Sequence, residues 1–239
     1  RSSAASDVYK RQVLLYWFVF EFGLHQKVND LRTGIEVPFV LWLMGGLVPW
    51  FYFQEALNGG TGVLDEYSYL VKKVVFQIDA LPVVKLISAL FTHAFFVVFM
   101  LVVFAVMGFY PDLYVLQVVY YSFCMVTFTA GLIYATSAVT VFFRDMKEVV
   151  AILLQIGMWV TPIMWNFESM QGIPKWAVVL LKLNPMYYIV SGYRDALINK
   201  TAFWEHPGLT LWFWGITLFT LWAGTTVFKR LRVHFADVL

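Results

Sequence analysis

Charged residues are scarce in this sequence, and their scarcity excludes an ordinary soluble fold. Asp, Glu, Lys and Arg account for 13% of the 239 residues, whereas hydrophobic residues account for 61%. Soluble globular domains typically carry about 25% charged residues. Because so few charges could not cover the surface of so large a core, we expect lipid to contact much of the protein.

Several functional motifs are also lacking. The single cysteine, Cys124, lies in an apolar run, which excludes a disulfide framework and a cysteine-based metal site within the chain. No Gly-Lys dipeptide occurs, so the chain has no P-loop, and neither H-E-x-x-H nor G-x-S-x-G is present. The sequence also lacks, outside the predicted spans, the basic stripe with interleaved aromatic residues that would indicate binding of nucleic acid. We therefore predict no metal site, no bound cofactor and no nucleic-acid partner. If the protein uses ATP and Mg²⁺, they bind to a separate chain.

Long runs without charge are what the sequence has instead. A helix needs roughly 20 apolar residues to cross a hydrocarbon core of about 30 Å. Five runs qualify or nearly do, and a shorter run precedes them: 37–54, 86–111, 113–143, 149–167, 206–228 and the shorter 13–24. These runs are continuous and lack the period-two alternation of membrane strands. We predict an all-α, polytopic membrane protein with six transmembrane helices.

The first twelve residues, "RSSAASDVYKRQ", differ in character from the remainder of the chain. They are mostly polar, lack an initiating Met and change abruptly to "VLLYWFVF". They do not have the order of a signal peptide, in which charges precede an apolar stretch and small residues. We expect residues 1–12 to be a non-native leader and residues 13–239 to be one N-terminally truncated transmembrane domain. A native amphipathic N-terminus is the alternative.

Loop charges predict the orientation. Short segments rich in Lys and Arg next to membrane spans favour the cytoplasmic side. The stretch "FKRLRVH" comes directly after the last apolar run and carries three of them, Lys229, Arg230 and Arg232. We therefore expect both termini, and the segments near 58–82 and 143–149, to be cytoplasmic.

Two polar segments on the expected cytoplasmic side stand out. In the first, Asp65 and Glu66 suit the first turn of a helix over Val63–Val75, and Lys72 and Lys73 suit its last turn. Apolar residues at helical spacing predict that this helix is amphipathic. The second segment is the turn "FRDMKE", whose charges stand between two long charge-free runs. The first segment could equally be an interfacial helix resting on lipid headgroups, and the second a solvated turn anchoring two spans.

The connection between the fifth and sixth spans contains two helix starts. One is at Pro174, and the other is Asn184-Pro185, an N-cap followed by Pro at the first helical position. The second helix has two stripes, 186/190/193/197 and 188/191/192/195/199. We predict short amphipathic helices at the outer interface, of which the second is partly re-entrant.

Three stretches in register resemble a known family. They are "LVKKVVFQIDALPVV", "FFRDMKEVVAILLQIGMWVTPIMW" and "LNPMYYIVSGYRDALI". Together they resemble the permease subunits of ABC exporters for lipid-linked polysaccharides, first those for wall teichoic acid and then those for O-antigen and capsule. The resemblance covers roughly Val13 to Leu239. Two departures occur: Gln77-Ile78-Asp79 stands where many members have Pro-Arg-Glu, and the N-terminal interfacial helix usual in the family is missing.

The resemblance implies a bacterial plasma-membrane transport subunit that is not itself an enzyme. It implies pairing with a second copy as a homodimer, contact with membrane lipids, and a cytoplasmic ABC ATPase subunit that binds ATP and Mg²⁺. The helix Val63–Val75 would be the main coupling helix and the "FRDMKE" turn the second ATPase contact. The implied coupling residues are Asp65, Glu66, Tyr67, Leu70, Lys72, Lys73, Arg144, Asp145, Lys147 and Glu148. The outer amphipathic helix contributes Asn184, Pro185, Tyr187, Tyr188, Tyr193 and Arg194.

Aromatic side chains are candidates for a transport path, because sugar rings stack on aromatic faces. The candidates are Tyr16, Trp17, Phe18, Phe20, Trp159 and Trp165. Interfacial aromatic belts and helix packing are the alternative. Gly131 and Ala135 form a small-xxx-small pair that lets helices approach closely.

Two other functions stay open at this point. The first is an exporter of a drug or small lipid. The second is a membrane-embedded transferase acting on lipid-linked sugars, which would need a convergent catalytic pair. The only intramembrane histidine in the third span, His93, has no acidic neighbour at helical spacing and favours a packed, hydrogen-bonded role over catalysis.

Overall fold

The computed structural model describes residues 28–29, 36–71, 77–165 and 173–238, and all structural statements concern these residues. The predicted leader, the first predicted span with its four aromatic candidates, and both Lys72 and Lys73 lie outside them. So does the side chain of Leu70.

Helices dominate the described chain, as predicted. The one pairing of strands in these residues is antiparallel and two residues long, joining β1 (Val28–Asn29) to β2 (Glu36–Val37), with Val28 opposite Val37. The helices, numbered in chain order, are α1 (Phe39–Thr61), α2 (Val63–Glu66), α3 (Ser68–Val71), α4 (Ala80–Val106), α5 (Leu116–Phe142), α6 (Met146–Val160), α7 (Lys175–Leu183), α8 (Pro185–Arg194), α9 (Pro207–Leu231) and α10 (Phe235–Val238). Short 3-10 turns occur at Leu113–Val115, Phe203–Glu205 and Arg232–His234, and a π-helical turn at Asp195–Asn199.

Three helical stretches among the described residues are long and apolar enough to cross a membrane. They are Ala80–Val106, Leu113–Phe142 and Pro207–His234, which correspond to the third, fourth and sixth predicted spans. The run 149–167 forms a shorter helix, because α6 has 15 residues and ends before Thr161-Pro162. Pro disfavours helical backbone in the residue before it, and Thr161 is extended there. The count of six spans remains a prediction.

Helix α1 lies at the centre of the bundle. It contacts α4, α5, α6 and α8, and Leu41, Leu43 and Leu47 are fully buried. A helix that is apolar on all sides is typical of a buried core position. The other long helices therefore surround α1 and turn many apolar side chains outward.

Helices α5 and α9 cross with their backbones in close contact. A Cβ atom added to Gly224 would lie 2.0 Å from the Gly131 carbonyl oxygen, and one added to Gly131 would lie 2.7 Å from the Leu221 backbone nitrogen. Ala135 also borders this crossing. The small-residue pair noted in the sequence therefore serves an approach between two helices of the same chain.

A second, smaller core closes one end of the bundle. Val63 and Leu64 of α2 pack there with Phe228 of α9 and Phe235 of α10. Phe235 is fully buried and contacts the ring of Phe228 at 5.6 Å. The last described residues are thereby fixed against α2.

Candidate functional site

The two segments predicted to bind a partner lie side by side at one end of the bundle, which we call the charged end. Lys147 Nζ, at the start of α6, forms an ion pair with Asp65 Oδ2 of α2 at 2.7 Å. Gly62 makes room for it, since a Cβ atom there would lie 3.1 Å from Lys147 Cε. The structure thus joins the "FRDMKE" turn directly to α2.

A second ion pair fixes the other side of the same segment. Lys85 Nζ of α4 contacts Glu66 Oε2 at 2.7 Å and lies 5.5 Å from the centre of the Tyr67 ring. Such partly exposed pairs contribute about 0–1 kcal/mol each to stability. Their main effect is to fix where α2 stands relative to α4 and α6.

The charged end also includes residues that the sequence reasoning missed. Arg232 Nη1 pairs with Asp79 Oδ2 at 2.5 Å, and the Tyr134 hydroxyl donates to the Asp79 carbonyl at 3.1 Å. A surface groove of about 560 Å³ runs beside this pair and is lined by Gln77, Ile78, Asp79, Arg232 and Val233. The one feature of the sequence that could have indicated this groove is the departure from the family pattern at Gln77-Ile78-Asp79.

The helix predicted over Val63–Val75 is divided. Two one-turn helices, α2 and α3, are separated at Tyr67, and residues 72–76 lie outside the description. The division follows from packing, because Val63 and Leu64 turn inward into the smaller core. Tyr69, which the sequence reasoning did not single out, is 59% exposed. Arg144, Asp145 and Glu148 are exposed as well.

Helix α8 occupies the opposite end of the bundle, which we call the distal end, and it is buried rather than laid across the surface. Residues from both of its predicted stripes, such as Met186 and Tyr188, are buried. A Cβ atom on Gly192 would lie 2.1 Å from Tyr121 Cε1, so glycine is needed for this close packing. Helix α8 therefore packs between neighbouring helices, which is compatible with the predicted re-entrant character, and its location at the outer interface stays a prediction.

Hydroxyl groups on α8 are satisfied by neighbouring helices. The Tyr193 hydroxyl lies 2.9 Å from His93 Nε2 and 2.6 Å from Ser122 Oγ. The Tyr188 hydroxyl lies 3.0 Å from Thr210 Oγ1. Burial raises the pKa of Tyr193, which lies outside the three spanning helices, so its phenol stays protonated and able to donate.

Arg194, at the end of α8, is the most elaborately held cation among the described residues. Its guanidinium lies 3.4 Å from the centre of the Trp42 ring and donates to the carbonyls of Pro162 at 2.7 Å and Ile163 at 2.8 Å. A Cβ atom on Gly46 would lie 2.8 Å from Arg194 Nη2. We call the Trp42 ring and the two carbonyls that surround this guanidinium the Arg194 cage. In the sequence, the Gly45-Gly46 pair inside an apolar run could have indicated that a large side chain packs against α1 at this point.

Asn184 makes two different contacts with one amide. Its Oδ1 accepts from the Met186 backbone N–H at 3.0 Å and caps α8, with Pro185 in the first turn. Its Nδ2 donates to Thr161 Oγ1 at 2.8 Å. The start of α8 is thereby attached to the residue that ends α6.

The candidate transport-path aromatics in the described residues lie at the distal end of α6. Trp159 is 60% exposed, and Trp165 Nε1 donates to the Trp159 carbonyl at 3.0 Å. The structure therefore brings these two residues together on an outward face. Their role in transport remains a prediction.

No group of three His, Cys, Asp or Glu side chains within the described ranges is placed to hold a metal ion. His93 is buried and bonded to Tyr193 and Ser122. In the described residues, the charged end therefore contains ion pairs that position helices, and the distal end contains buried hydrogen bonds that join them.

Comparison with known proteins gives matches over most of the chain. The family model described as "ABC-2 type transporter" matches residues 8–198. The chain is similar to the O-antigen export system permease protein RfbA of Myxococcus xanthus, at 26% identity over 94% of this chain and 82% of the relative. RfbA of Klebsiella pneumoniae is 25% identical over 95% and 82% of the two chains. The polysialic acid transport protein KpsM of Escherichia coli is 26% identical over 91% and 80%.

Proposed function

Because the chain belongs to the ABC-2 type transporter family, we propose that it is the transmembrane subunit of an ATP-driven exporter of lipid-linked polysaccharide in a bacterial plasma membrane. The observation that carries this proposal is the similarity to O-antigen and polysialic acid transport proteins along more than nine-tenths of the chain. The three long apolar helices support a multi-pass location.

The charged end is the proposed docking surface for a cytoplasmic ABC ATPase subunit, which would bind the ATP and Mg²⁺. Exposed charges of both signs surround α2 and the start of α6, and Tyr69 adds an exposed aromatic ring. Aromatic anchors usually carry more binding energy than charges at a contact rim, whereas rim charges mainly tune register. A solvated turn that only anchors two helices is the rival explanation for Arg144, Asp145 and Glu148.

We propose the rest of the arrangement from this assignment. The charged end faces the cytoplasm, both termini lie on that side, and α8 lies toward the outer leaflet. A second copy of the chain forms a homodimer with it, and lipids cover the remaining apolar faces. Outward-facing residues such as Phe91 and Phe219, 76% and 63% exposed, support such apolar contacts.

The cargo we propose is a lipid-linked polymer of the O-antigen or capsule type, following the named cargo of the relatives. Teichoic acid is the finer alternative that the sequence motifs favour. A transferase is less well supported, because His93 is enclosed by α5 and α8 and already bonded to Tyr193. An exporter of a drug or small lipid would share the ATPase docking surface and differ only in cargo.

The test is reconstitution of the chain with a candidate partner ABC ATPase from the same organism, in vesicles that contain a lipid-linked polysaccharide. We expect ATP-dependent movement of the polymer, and none with an ATPase whose P-loop lysine is replaced. Parallel vesicles with lipid-linked O-antigen, teichoic acid or a hydrophobic drug identify the cargo. ATP hydrolysis by the chain alone, or sugar transfer without movement, would overturn the proposal.

A further inference from the structure

Helix α6 is held very differently along its length. Only a narrow stripe packs on the bundle: Val150 and Leu154 are buried, and a Cβ atom on Gly157 would lie 3.0 Å from Trp50 Cη2. Ile152 and Leu153, on other faces, are 56% and 61% exposed. The middle of α6 is thus joined to α1 mainly by non-directional apolar contacts.

Polar contacts hold both ends of α6. At the charged end Lys147 pairs with Asp65 at 2.7 Å. At the distal end Thr161 accepts from Asn184 at 2.8 Å, and the next two carbonyls accept from Arg194. These three distal contacts are made by Asn184, the N-cap of α8, and by Arg194, its last residue. Directional contacts at the two ends, with few in between, suit an element that moves as one piece.

Helix α6 is long enough to reach from α2 at the charged end to the start of α8. Fifteen residues at about 1.5 Å each give a rod of about 22 Å. Its distal end is sharply defined, since Thr161-Pro162 stops the helix and leaves carbonyls free to accept from Arg194. A displacement of the charged end therefore has a direct mechanical route to α8.

We propose that α6 relays movement of the ATPase-docking surface to α8, with Thr161, Asn184 and Arg194 as positioning residues of the distal joint. This inference rests on the function proposed above. The relay predicts that breaking the distal joint separates ATP hydrolysis from export while the ATPase subunit still binds. Coupling between two sites typically changes the binding affinity at one of them by a factor of about 5–150, and we use the lower end of this range as the size of effect to look for.

The first test measures export per ATP hydrolysed in reconstituted vesicles. Thr161→Val removes the acceptor of Asn184 and keeps the side-chain shape, and we expect export per ATP to fall about fivefold or more with normal recovery of the ATPase subunit. Thr217→Val is the matched control, because Thr217 is buried in α9 and its hydroxyl has no hydrogen-bond partner within the described chain. Equal export per ATP in Thr161→Val, Thr217→Val and the unchanged protein would overturn the relay.

A second variant separates loss of coupling from loss of folding. Thr161→Val alone leaves the Asn184 amide without this partner, which is destabilising. Asn184→Ser together with Thr161→Val removes both partners and keeps a good N-cap for α8. We expect this double variant to melt like the unchanged protein and still show the reduced export per ATP. Normal export in the double variant would refute the proposal.

A third measurement needs neither cargo nor ATP. Lys147→Glu repels Asp65, and the relay predicts faster hydrogen–deuterium exchange of the α8 amides, by about fivefold. Lys85→Glu breaks the neighbouring pair with Glu66 at the same end without touching α6, and should leave α8 unchanged. If vesicles of the unchanged complex show no export, the proposed function fails while this exchange comparison still decides the relay. An unchanged exchange rate of the α8 amides in Lys147→Glu would overturn the proposed relay.

Discussion

Gly224 lies where α9 crosses α5, and replacing it with alanine tests how tightly these two helices are required to pack. The added Cβ would stand 2.0 Å from the Gly131 carbonyl oxygen, whereas ordinary van der Waals contact begins near 3.4 Å. The obstructing atom belongs to the backbone and cannot rotate away. The helices would therefore have to separate by about 1.4 Å. This would loosen the most extensive contact between any two helices of the described bundle.

The expected destabilisation follows from the geometry. Overpacking a tight contact typically costs about 1–3 kcal/mol, and a clash with backbone favours the upper value. For chains of this size each kcal/mol changes the melting temperature by about 2–4 °C. The higher helix propensity of alanine returns about 1 kcal/mol, which leaves a net loss of about 2 kcal/mol. We therefore expect Gly224→Ala to melt about 4–8 °C below the unchanged protein.

The assay is thermal unfolding in lipid nanodiscs, followed by tryptophan fluorescence. Gly215→Ala is the matched control, since Gly215 lies in the same helix and an added Cβ there meets nothing within 4 Å. Alanine is favoured over glycine in a helix interior by about 0.8–1.0 kcal/mol, so this variant should melt slightly higher. Melting of the two variants within about 2 °C of each other would show that α5 and α9 are not tightly packed at Gly224.

Three further predictions concern the two ends of the bundle. Arg194→Lys should destabilise the protein by about 2–4 kcal/mol in nanodisc melting, because an ammonium cannot reproduce the forked contacts with two carbonyls and a ring face; an unchanged melting temperature would contradict the cage. Asp65→Lys should reduce co-purification of the ATPase subunit, and adding Lys147→Asp should restore it; failure of the exchanged pair to restore binding would mean that the ion pair is not what matters. Cysteines placed singly at Met146 and Leu180, in a background without the native cysteine, should label from opposite sides of intact cells, and labelling of both from outside would refute the orientation.

Composition was sufficient to predict the helical class and the three long apolar helices. Charge-free runs of this length have few stable solutions in lipid, so α4, α5 and α9 could be located without knowledge of their neighbours. Helix boundaries were less predictable. Hydropathy predicts one span over 149–167, but Thr161-Pro162 ends the helix after 15 residues. Pro162 therefore determines where α6 ends, although the hydropathy of the run continues beyond it.

The contacts at the charged end could not be predicted from the sequence. Asp65 and Lys147 were each candidate coupling residues, yet nothing in their local patterns indicates that they pair with one another. Asp79 and Arg232 are still further apart in the chain. Their pairing depends on how α4 and α9 pack, which is a property of the whole bundle. The division at Tyr67 has the same origin, because the smaller core draws Val63 and Leu64 inward.

The burial of α8 shows why a two-faced pattern was insufficient to locate that helix. Tyrosine suits a membrane interface because it has an apolar ring and a polar tip, but it suits a buried position equally well when its hydroxyl finds a partner. The sequence shows the stripe and not what covers it, and here Tyr193 meets His93 and Ser122 rather than water. Gly192 distinguishes the two cases. A helix resting on headgroups gains nothing from a glycine within it, which costs about 1 kcal/mol relative to alanine. A helix packed against Tyr121 requires one. In a short aromatic helix of a membrane protein, a glycine within the polar stripe therefore favours packing between helices over a place at the interface.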